Sequence, residues 1–240
     1  MGPSISSSSK ENQSCYSDSK ALNQPKNKKG KTKHHTVFIF DWDDTLMCTS
    51  FVTLKTQILS EEEQNIIKEL GIIVSKFLEE CSKYGNIIIM TNSSKQWIKK
   101  TAIHYLKINE NLFSNIIIIS TRDKYLKKGI EKKKWKEIEL NEILLKYGEK
   151  IDNLICASDS EKDIDVFKNI SKNYRKINIS TIKFKSNPSP LVLIKEIKYL
   201  NEFFYETIGS NKNYYLIKEK EKNGKFNFSL GSWLDYIFPN

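Results

Sequence analysis

Short apolar segments that recur through the middle of the chain constrain its fold most strongly. They are rich in Ile and lie at 36–40, 86–90, 115–119, 153–157 and 177–184. Continuous β-branched runs of this length are typical of strands that are buried on both faces of a parallel sheet. Between them, apolar residues recur at helical spacing over 60–83, 94–107, 133–147, 161–172 and 189–208. The alternation predicts an α/β sandwich with right-handed crossovers.

The two ends of the chain differ from this pattern. Residues 1–34 are mainly Ser, Asn, Gln, Lys and Gly, and they hold too few apolar side chains to offset the entropy cost of ordering. We therefore expect a disordered basic tail followed by a domain over 35–208. In the last segment, 209–240, two alternating runs flank Asn223–Gly224, which predicts a β-hairpin that packs on the core.

Composition excludes several classes of protein. The chain has 240 residues, which suits one domain with a tail, and no apolar run reaches the length of a membrane span. No apolar segment near the N-terminus resembles a secretory signal. The four cysteines form no CxxC pair, which argues against a zinc site and a disulfide scaffold. A reducing, cytoplasmic location is the expectation.

The net charge of +10 is unevenly distributed. Half of it lies between residues 10 and 33, and this Lys-rich tail leaves a nuclear location open. Arg122 and Arg175 are the only arginines, and this scarcity argues against nucleic-acid recognition. Gly2 and Ser6 fit a loose acylation pattern that could bring the tail to a membrane, but Pro3 disfavours it. The charge also suits an alternative in which the tail itself binds acidic membrane or nucleic acid.

Polar side chains follow three of the predicted strands. Asp41, Asp43 and Asp44 come after the first strand, Thr91–Asn92 after the second, and Asp159 with Asp163 after the fourth. In an open α/β sheet these ends share one edge, where ligands bind. Like charges this close repel one another, so a hard cation such as Mg²⁺ and a nearby Lys would be needed to relieve the repulsion. Such a site favours a phosphate.

The ordered set of an Asp-x-Asp-x-Thr motif, a strand-end Thr, a Lys and a late Asp-x-x-x-Asp resembles the haloacid dehalogenase superfamily of phosphotransferases. The resemblance covers about residues 36 to 200. It implies a doubly wound, Rossmann-like fold with a central parallel sheet. It also implies Mg²⁺-dependent hydrolysis of a phosphate ester through an aspartyl-phosphate.

The same resemblance implies a role for each residue of the motifs. Asp41 would be the nucleophile, and Asp43 the general acid and base whose backbone carbonyl also contacts Mg²⁺. Thr91 would hydrogen-bond a phosphoryl oxygen. Asp159 would bind Mg²⁺ together with Asp41, and Asp163 would be a further ligand or a support. Taken alone, Asp159 and Asp163 also fit the start of a helix, whose dipole favours acids.

A catalytic Lys is implied as well, and the run EKKKWKEI contains four candidates. Family members with a similar turn after the third strand carry a Trp-Lys pair about a dozen residues later. On this resemblance we favour Lys136 over Lys134, while Lys132 and Lys133 also remain open.

Neighbouring side chains are candidates for substrate contacts. Trp42 lies between the two motif aspartates, and Asp44 stands where the family often has Gly. Thr45 would orient Asp41 or cap the turn, and Asn92 follows the strand-end Thr. Each of these residues also fits a purely structural role.

The spacing of the motifs bears on the size of the substrate. About fifty residues separate Asp41 from Thr91, and neither this segment nor the next leaves room for a large cap domain. Capless members of the superfamily tend to act on bulky substrates, so we expect a phosphorylated partner such as a phosphoprotein. Two alternatives stay open: a small phosphate ester with the hairpin as a lid, and a catalytically silent module that binds phosphorylated partners.

Overall fold

The structure, a computed structural model, describes residues 35–56, 58–202, 204, 213–220 and 226–232. For the last two ranges it describes the strands and not their side chains. The predicted tail over 1–34, its acylation pattern, the turn at Asn223–Gly224 and the apolar chain end lie outside the described residues.

Seven strands form one sheet. They are β1 (Thr36–Phe40), β2 (Gly85–Thr91), β3 (Ile117–Ser120), β4 (Asn153–Ser158), β5 (Asn178–Lys183), β6 (Asn213–Lys220) and β7 (Phe226–Ser232). Their order is β3-β2-β1-β4-β5-β6-β7, and the first six strands in this order are parallel. The predicted central parallel sheet is confirmed, since each of the five apolar segments forms one of its strands.

Eight α-helices lie in the described part of the chain. They are α1 (Thr49–Leu54), α2 (Glu61–Tyr84), α3 (Lys95–His104), α4 (Glu110–Ser114), α5 (Thr121–Tyr125), α6 (Trp135–Tyr147), α7 (Glu161–Ser171) and α8 (Pro190–Glu202). The predicted capping box begins α2: the Ser60 hydroxyl accepts from the Glu63 N–H at 3.2 Å, and the Glu63 carboxylate accepts from the Ser60 N–H at 3.0 Å. None of these helices is long and apolar enough to cross a lipid bilayer.

Helices cover both faces of the sheet because alternate side chains of β1 enter two different cores. Phe38 and Phe40 belong to the core under α2, α3 and α8, where Phe40 packs against Phe77 with ring centroids 5.3 Å apart. Val37 and Ile39 belong to the core under α6 and α7. The expected doubly wound, Rossmann-like fold is therefore observed.

The strand order reverses between β1 and β4, and this places the site. The chain runs from β1 outward to β2 and β3, then returns to the other side of β1 for β4 and β5. The carboxyl ends of β1 and β4 consequently flank the crevice in which open α/β sheets bind ligands. Phe40 pairs with Ala157 in the register, so Asp41 and Ser158 emerge side by side.

The hairpin predicted from the C-terminal sequence is formed by β6 and β7, which pair antiparallel on either side of Asn223–Gly224. β6 also pairs in parallel with β5. The hairpin therefore extends the central sheet at the edge beyond β5.

Gly71, in the middle of α2, permits a close approach that only glycine allows. A Cβ at this position would lie 1.7 Å from the Leu106 carbonyl oxygen. We expect Gly71→Ala to lower the free energy of unfolding by about 2 kcal/mol or more, because backbone has to move to relieve the overlap. Urea unfolding measures the change.

Gly148→Ala is the matched control. Gly148 has helical φ and ψ of −58° and −34°, and a Cβ there would meet its nearest neighbour at an ordinary 3.7 Å. We expect this control to be neutral or slightly stabilising. Equal losses in both variants would contradict the packing argument.

Candidate active site

Asp41 lies at the carboxyl end of β1 and is buried. Its backbone N–H continues the ladder to β4 by donating to the Ala157 carbonyl at 2.9 Å. One carboxylate oxygen, Oδ1, accepts from the Trp42 N–H at 2.7 Å, and the other, Oδ2, lies 2.8 Å from the Lys136 ammonium group. The side chain is thus fixed at the sheet edge, with a cation on one side.

Lys136, the second residue of α6, is buried between two carboxylates. Its Nζ lies 2.8 Å from Asp41 Oδ2 and 2.5 Å from Asp163 Oδ2. The Ser158 hydroxyl donates to the same Asp163 oxygen at 2.9 Å. The other three candidates of the run are exposed, so Lys136 is the lysine of the four that reaches Asp41.

Burial and charge act together on these ionisable groups. Burial raises the pKa of Asp41 to about 6, although the Lys136 ammonium lowers it; Asp163 adds to the increase. Burial lowers the pKa of Lys136, but the Asp41 and Asp163 carboxylates outweigh this effect and raise the pKa above its ordinary value. Lys136 therefore stays protonated and places a positive charge against the Asp41 carboxylate.

Asp43 accepts four hydrogen bonds from side chains. Its Oδ1 accepts from Thr49 Oγ1 at 2.6 Å and from Trp97 Nε1 at 2.9 Å. Its Oδ2 accepts from Thr91 Oγ1 at 3.2 Å and from Ser93 Oγ at 2.5 Å. The predicted general acid and the predicted phosphate-binding Thr91 are thus in direct contact.

Asp159 is held in the site through its backbone and not through its carboxylate. Its backbone N–H donates to Thr45 Oγ1 at 2.9 Å, and its carbonyl accepts from Ser186 Oγ at 2.6 Å. The half-buried carboxylate itself has no hydrogen bond or salt bridge to any residue that the structure describes. Burial, with Asp41 and Asp44 nearby, raises its pKa to about 7.

These side chains meet the needs of Mg²⁺ only in part. No group of three or more His, Cys, Asp or Glu side chains arranged to hold a metal occurs within the described ranges. Mg²⁺ needs no such group, because it commonly takes one or two carboxylates, waters and a substrate phosphate. Asp41, whose Oδ1 has the Trp42 N–H as its hydrogen-bond donor, and Asp159, whose carboxylate has no partner among the described residues, fit the ion best. Asp163 Oδ2 instead contacts Lys136 and Ser158.

Trp42 does not fit its predicted substrate contact. The side chain is fully buried, its Nε1 donates to Thr101 Oγ1 at 2.9 Å, and its ring packs edge-on against Phe113 with centroids 5.7 Å apart. A ring with no exposed surface cannot contact a ligand. The prediction is corrected: Trp42 belongs, with Phe38 and Phe40, to the core under α2, α3 and α8.

The other residues predicted to contact substrate form hydrogen bonds within the protein. Asp44, with a left-handed φ of 55°, accepts from the N–H of Ser50 at 2.8 Å and from its hydroxyl. Short acidic side chains tolerate this conformation, which otherwise favours Gly. Thr45 is buried, and its hydroxyl oxygen accepts from the Asp159 N–H. The side-chain oxygen of half-buried Asn92 accepts from Thr121 Oγ1 at 2.6 Å. Their contact with substrate stays a prediction.

Four residues of the site were not predicted from the sequence: Thr49, Ser93 and Trp97, which donate to Asp43, and Ser158, which donates to Asp163. Ser158 ends β4 and Ser93 lies two residues beyond β2, next to polar residues that were selected, so their position was a usable signal. Nothing in the sequence indicates where the Trp97 N–H points.

Comparison with known proteins identifies a family and a similar solved structure. The family model of the NLI interacting factor-like phosphatases matches residues 36–203. A crystal structure of the Legionella pneumophila effector Ceg4 is similar at 14% sequence identity and a TM-score of 0.45, covering 75% of this chain and 100% of the effector. A search of curated protein sequences found no match.

The family match covers more than half of the chain and includes every motif residue from Asp41 to Asp163. It agrees with the resemblance to the haloacid dehalogenase superfamily and with the fold. The chain belongs to the NLI interacting factor-like phosphatase family and is a phosphoric monoester hydrolase.

Proposed function

We propose that the protein hydrolyses a phosphate monoester with Mg²⁺, through an aspartyl-phosphate on Asp41, and that its substrate is bulky, such as a phosphoprotein. The observation that carries the proposal is the buried contact of Asp41 with Lys136. An ammonium group held at 2.8 Å keeps one oxygen in place while a phosphate approaches the other side of the carboxylate.

In the first step an Asp41 oxygen attacks phosphorus, and the bond from phosphorus to the leaving oxygen breaks. Asp43 gives its proton to that oxygen, so an alcohol leaves instead of an alkoxide. Thr91 holds a phosphoryl oxygen, and Lys136 offsets the negative charge that Asp41 and the phosphoryl group share. Residues 91 and 43 are in contact at 3.2 Å, which is consistent with one phosphate reaching both.

In the second step water attacks the phosphorus of the aspartyl-phosphate. Asp43, now ionised, takes a proton from the water, and the bond from phosphorus to the Asp41 oxygen breaks. Inorganic phosphate leaves, and both aspartates return to their starting protonation states.

Asp41 and Asp159 would hold Mg²⁺, with the Asp43 backbone carbonyl as a further ligand. The ion supplies positive charge that screens the repulsion between Asp41 and the phosphate dianion. In its absence Lys136 is the one cation that the described side chains place against Asp41.

The packing of the helices near the site favours a bulky substrate. α2, the longest element between Asp41 and Thr91, places Leu70, Val74 and Phe77 in the core and packs beside α8. It is therefore part of the helical layer. The structure describes every residue between Asp41 and Lys136 except residue 57, and none of the described elements there forms a separate cap domain. A substrate would therefore cover the site with its own surface. Small esters and a purely binding role are the alternatives.

We expect Asp41→Asn to abolish hydrolysis of both p-nitrophenyl phosphate and a phosphoserine peptide, because an amide cannot attack phosphorus. EDTA should abolish wild-type turnover, and Mg²⁺ should restore it. Steady-state phosphate release measures both effects. Turnover that survives Asp41→Asn would contradict the mechanism, whereas a beryllofluoride adduct on Asp41 in a wild-type protein without turnover would favour the binding role.

Replacement of Lys136 tests the central ion pair. Lys136→Met leaves Asp41 and Asp163 buried without their cation, and we expect kcat to fall about 100-fold or more and stability to fall by about 3–5 kcal/mol. Lys134→Met is the matched control, since Lys134 is exposed and lies 4.0 Å from Glu131 at its nearest ion pair. Steady-state kcat and thermal unfolding of both variants measure these effects. Equal losses of kcat in the two variants would reject Lys136 as the catalytic lysine.

The raised pKa values predict a pH-dependent effect of Mg²⁺. Without metal, the folded protein keeps protons on Asp41 up to about pH 6 and on Asp159 up to about pH 7, whereas the unfolded chain loses them near the ordinary value of 3.8. The contribution of these groups to the free energy of unfolding therefore falls as pH rises from about 4 to about 7. Mg²⁺ competes with those protons, so it should raise Tm more at about pH 8 than at about pH 5.

Thermal unfolding with Mg²⁺ or EDTA at the two pH values measures this difference, and Asp159→Asn should remove most of it. An Mg²⁺ effect of the same size at both pH values would count against Asp41 and Asp159 as the ligands.

A further inference from the structure

We propose that the indole N–H of Trp97 determines which oxygen of Asp43 carries the proton during acid catalysis, which makes Trp97 a positioning residue for esters with poor leaving groups. The inference rests on the proposed function, in which Asp43 protonates the leaving oxygen. It starts from a contact outside the recognised motifs: Trp97 Nε1 donates to Asp43 Oδ1 at 2.9 Å.

The partners of Asp43 differ in their hydrogen-bonding chemistry. The hydroxyls of Thr49, Thr91 and Ser93 can each donate or accept, so they can adapt when the carboxylate gains a proton. The Trp97 indole can only donate. Oδ1 must therefore remain an acceptor, and a proton on Asp43 is directed to Oδ2.

Oδ2 is the oxygen suited to deliver that proton. It lies 3.2 Å from Thr91 Oγ1 and 2.5 Å from Ser93 Oγ, and both hydroxyls can turn to accept from a protonated Oδ2. Thr91 is also the residue expected to hold a phosphoryl oxygen. The proton is therefore kept on the side of the carboxyl group that faces the predicted phosphate.

The backbone holds Trp97 in place independently of Asp43. Ser94 caps α3 and accepts from the Trp97 N–H at 3.1 Å. The Ser120 hydroxyl, at the end of β3, donates to the Ser93 carbonyl at 2.7 Å. A donor that is preorganised in this way orients the acid without reorganising during the reaction.

The test compares two substrates that share a ring and differ in leaving group. Phenyl phosphate needs a proton on its leaving oxygen far more than p-nitrophenyl phosphate does, so loss of acid catalysis slows it more. We expect Trp97→Phe, which keeps a ring but removes the N–H, to lower kcat/KM for phenyl phosphate about tenfold more than for p-nitrophenyl phosphate.

Trp135→Phe is the matched control, because Trp135 Nε1 also donates a buried hydrogen bond, to the Ile130 carbonyl at 2.7 Å, away from Asp43. Its ratio of kcat/KM values for the two substrates should equal that of the wild type. A second readout is the indole N–H resonance of Trp97, identified by its loss in Trp97→Phe, which Asp43→Asn should shift while leaving that of Trp135 in place.

Each outcome decides a different point. If the wild type is active but Trp97→Phe leaves the ratio unchanged, or if Asp43→Asn does not move the Trp97 resonance, this inference is wrong and the proposed function stands. If the wild type, loaded with Mg²⁺, hydrolyses neither ester nor a phosphopeptide, the proposed function fails and the inference fails with it.

Discussion

The buried ammonium group of Lys136 is the interaction on which the rest of the site depends. It joins Asp41 at the end of β1 to Asp163 in the first turn of α7, so one side chain connects three elements that are far apart in sequence. Two carboxylates this close and this buried would repel strongly without a cation. In the proposed mechanism, the same charge that makes the cluster tolerable for folding would also act on the phosphate.

Around that ion pair, the polar residues of the loop after β1 are hydrogen-bonded to several neighbouring elements. Asp43 contacts α1, the loop after β2 and α3, and Asp44 holds the start of α1. Thr45 reaches across to the backbone of Asp159 at the end of β4. Buried polar groups need partners, and here the partners come from every element that borders the site. The loop is consequently fixed from several directions at once, as catalysis by preorganised charge requires.

The strand order explains why these contacts converge. β1 lies between β2 and β4, because the chain adds strands first on one side of β1 and then on the other. The crevice above β1 therefore receives loops from both halves of the sheet. Asp159 is the one carboxylate of this crevice without a partner in the described part of the chain, and burial, with Asp41 and Asp44 nearby, raises its pKa. An unpaired carboxylate near the fixed Asp41 side chain suits a cation such as Mg²⁺, which keeps waters and binds a substrate phosphate.

The sequence alone determined the alternation of strands and helices, the parallel sheet and the motif aspartates, because side-chain periodicity and strand-end position are local properties. It did not determine side-chain direction. Lys134 directly precedes α6 and is exposed, whereas Lys136, the second residue of that helix, is buried against Asp41. Trp42, predicted to contact substrate, is buried in the core by tertiary packing, and the Trp97 N–H is directed at Asp43. Only the fold could decide these directions, since they depend on which distant element lies opposite each side chain.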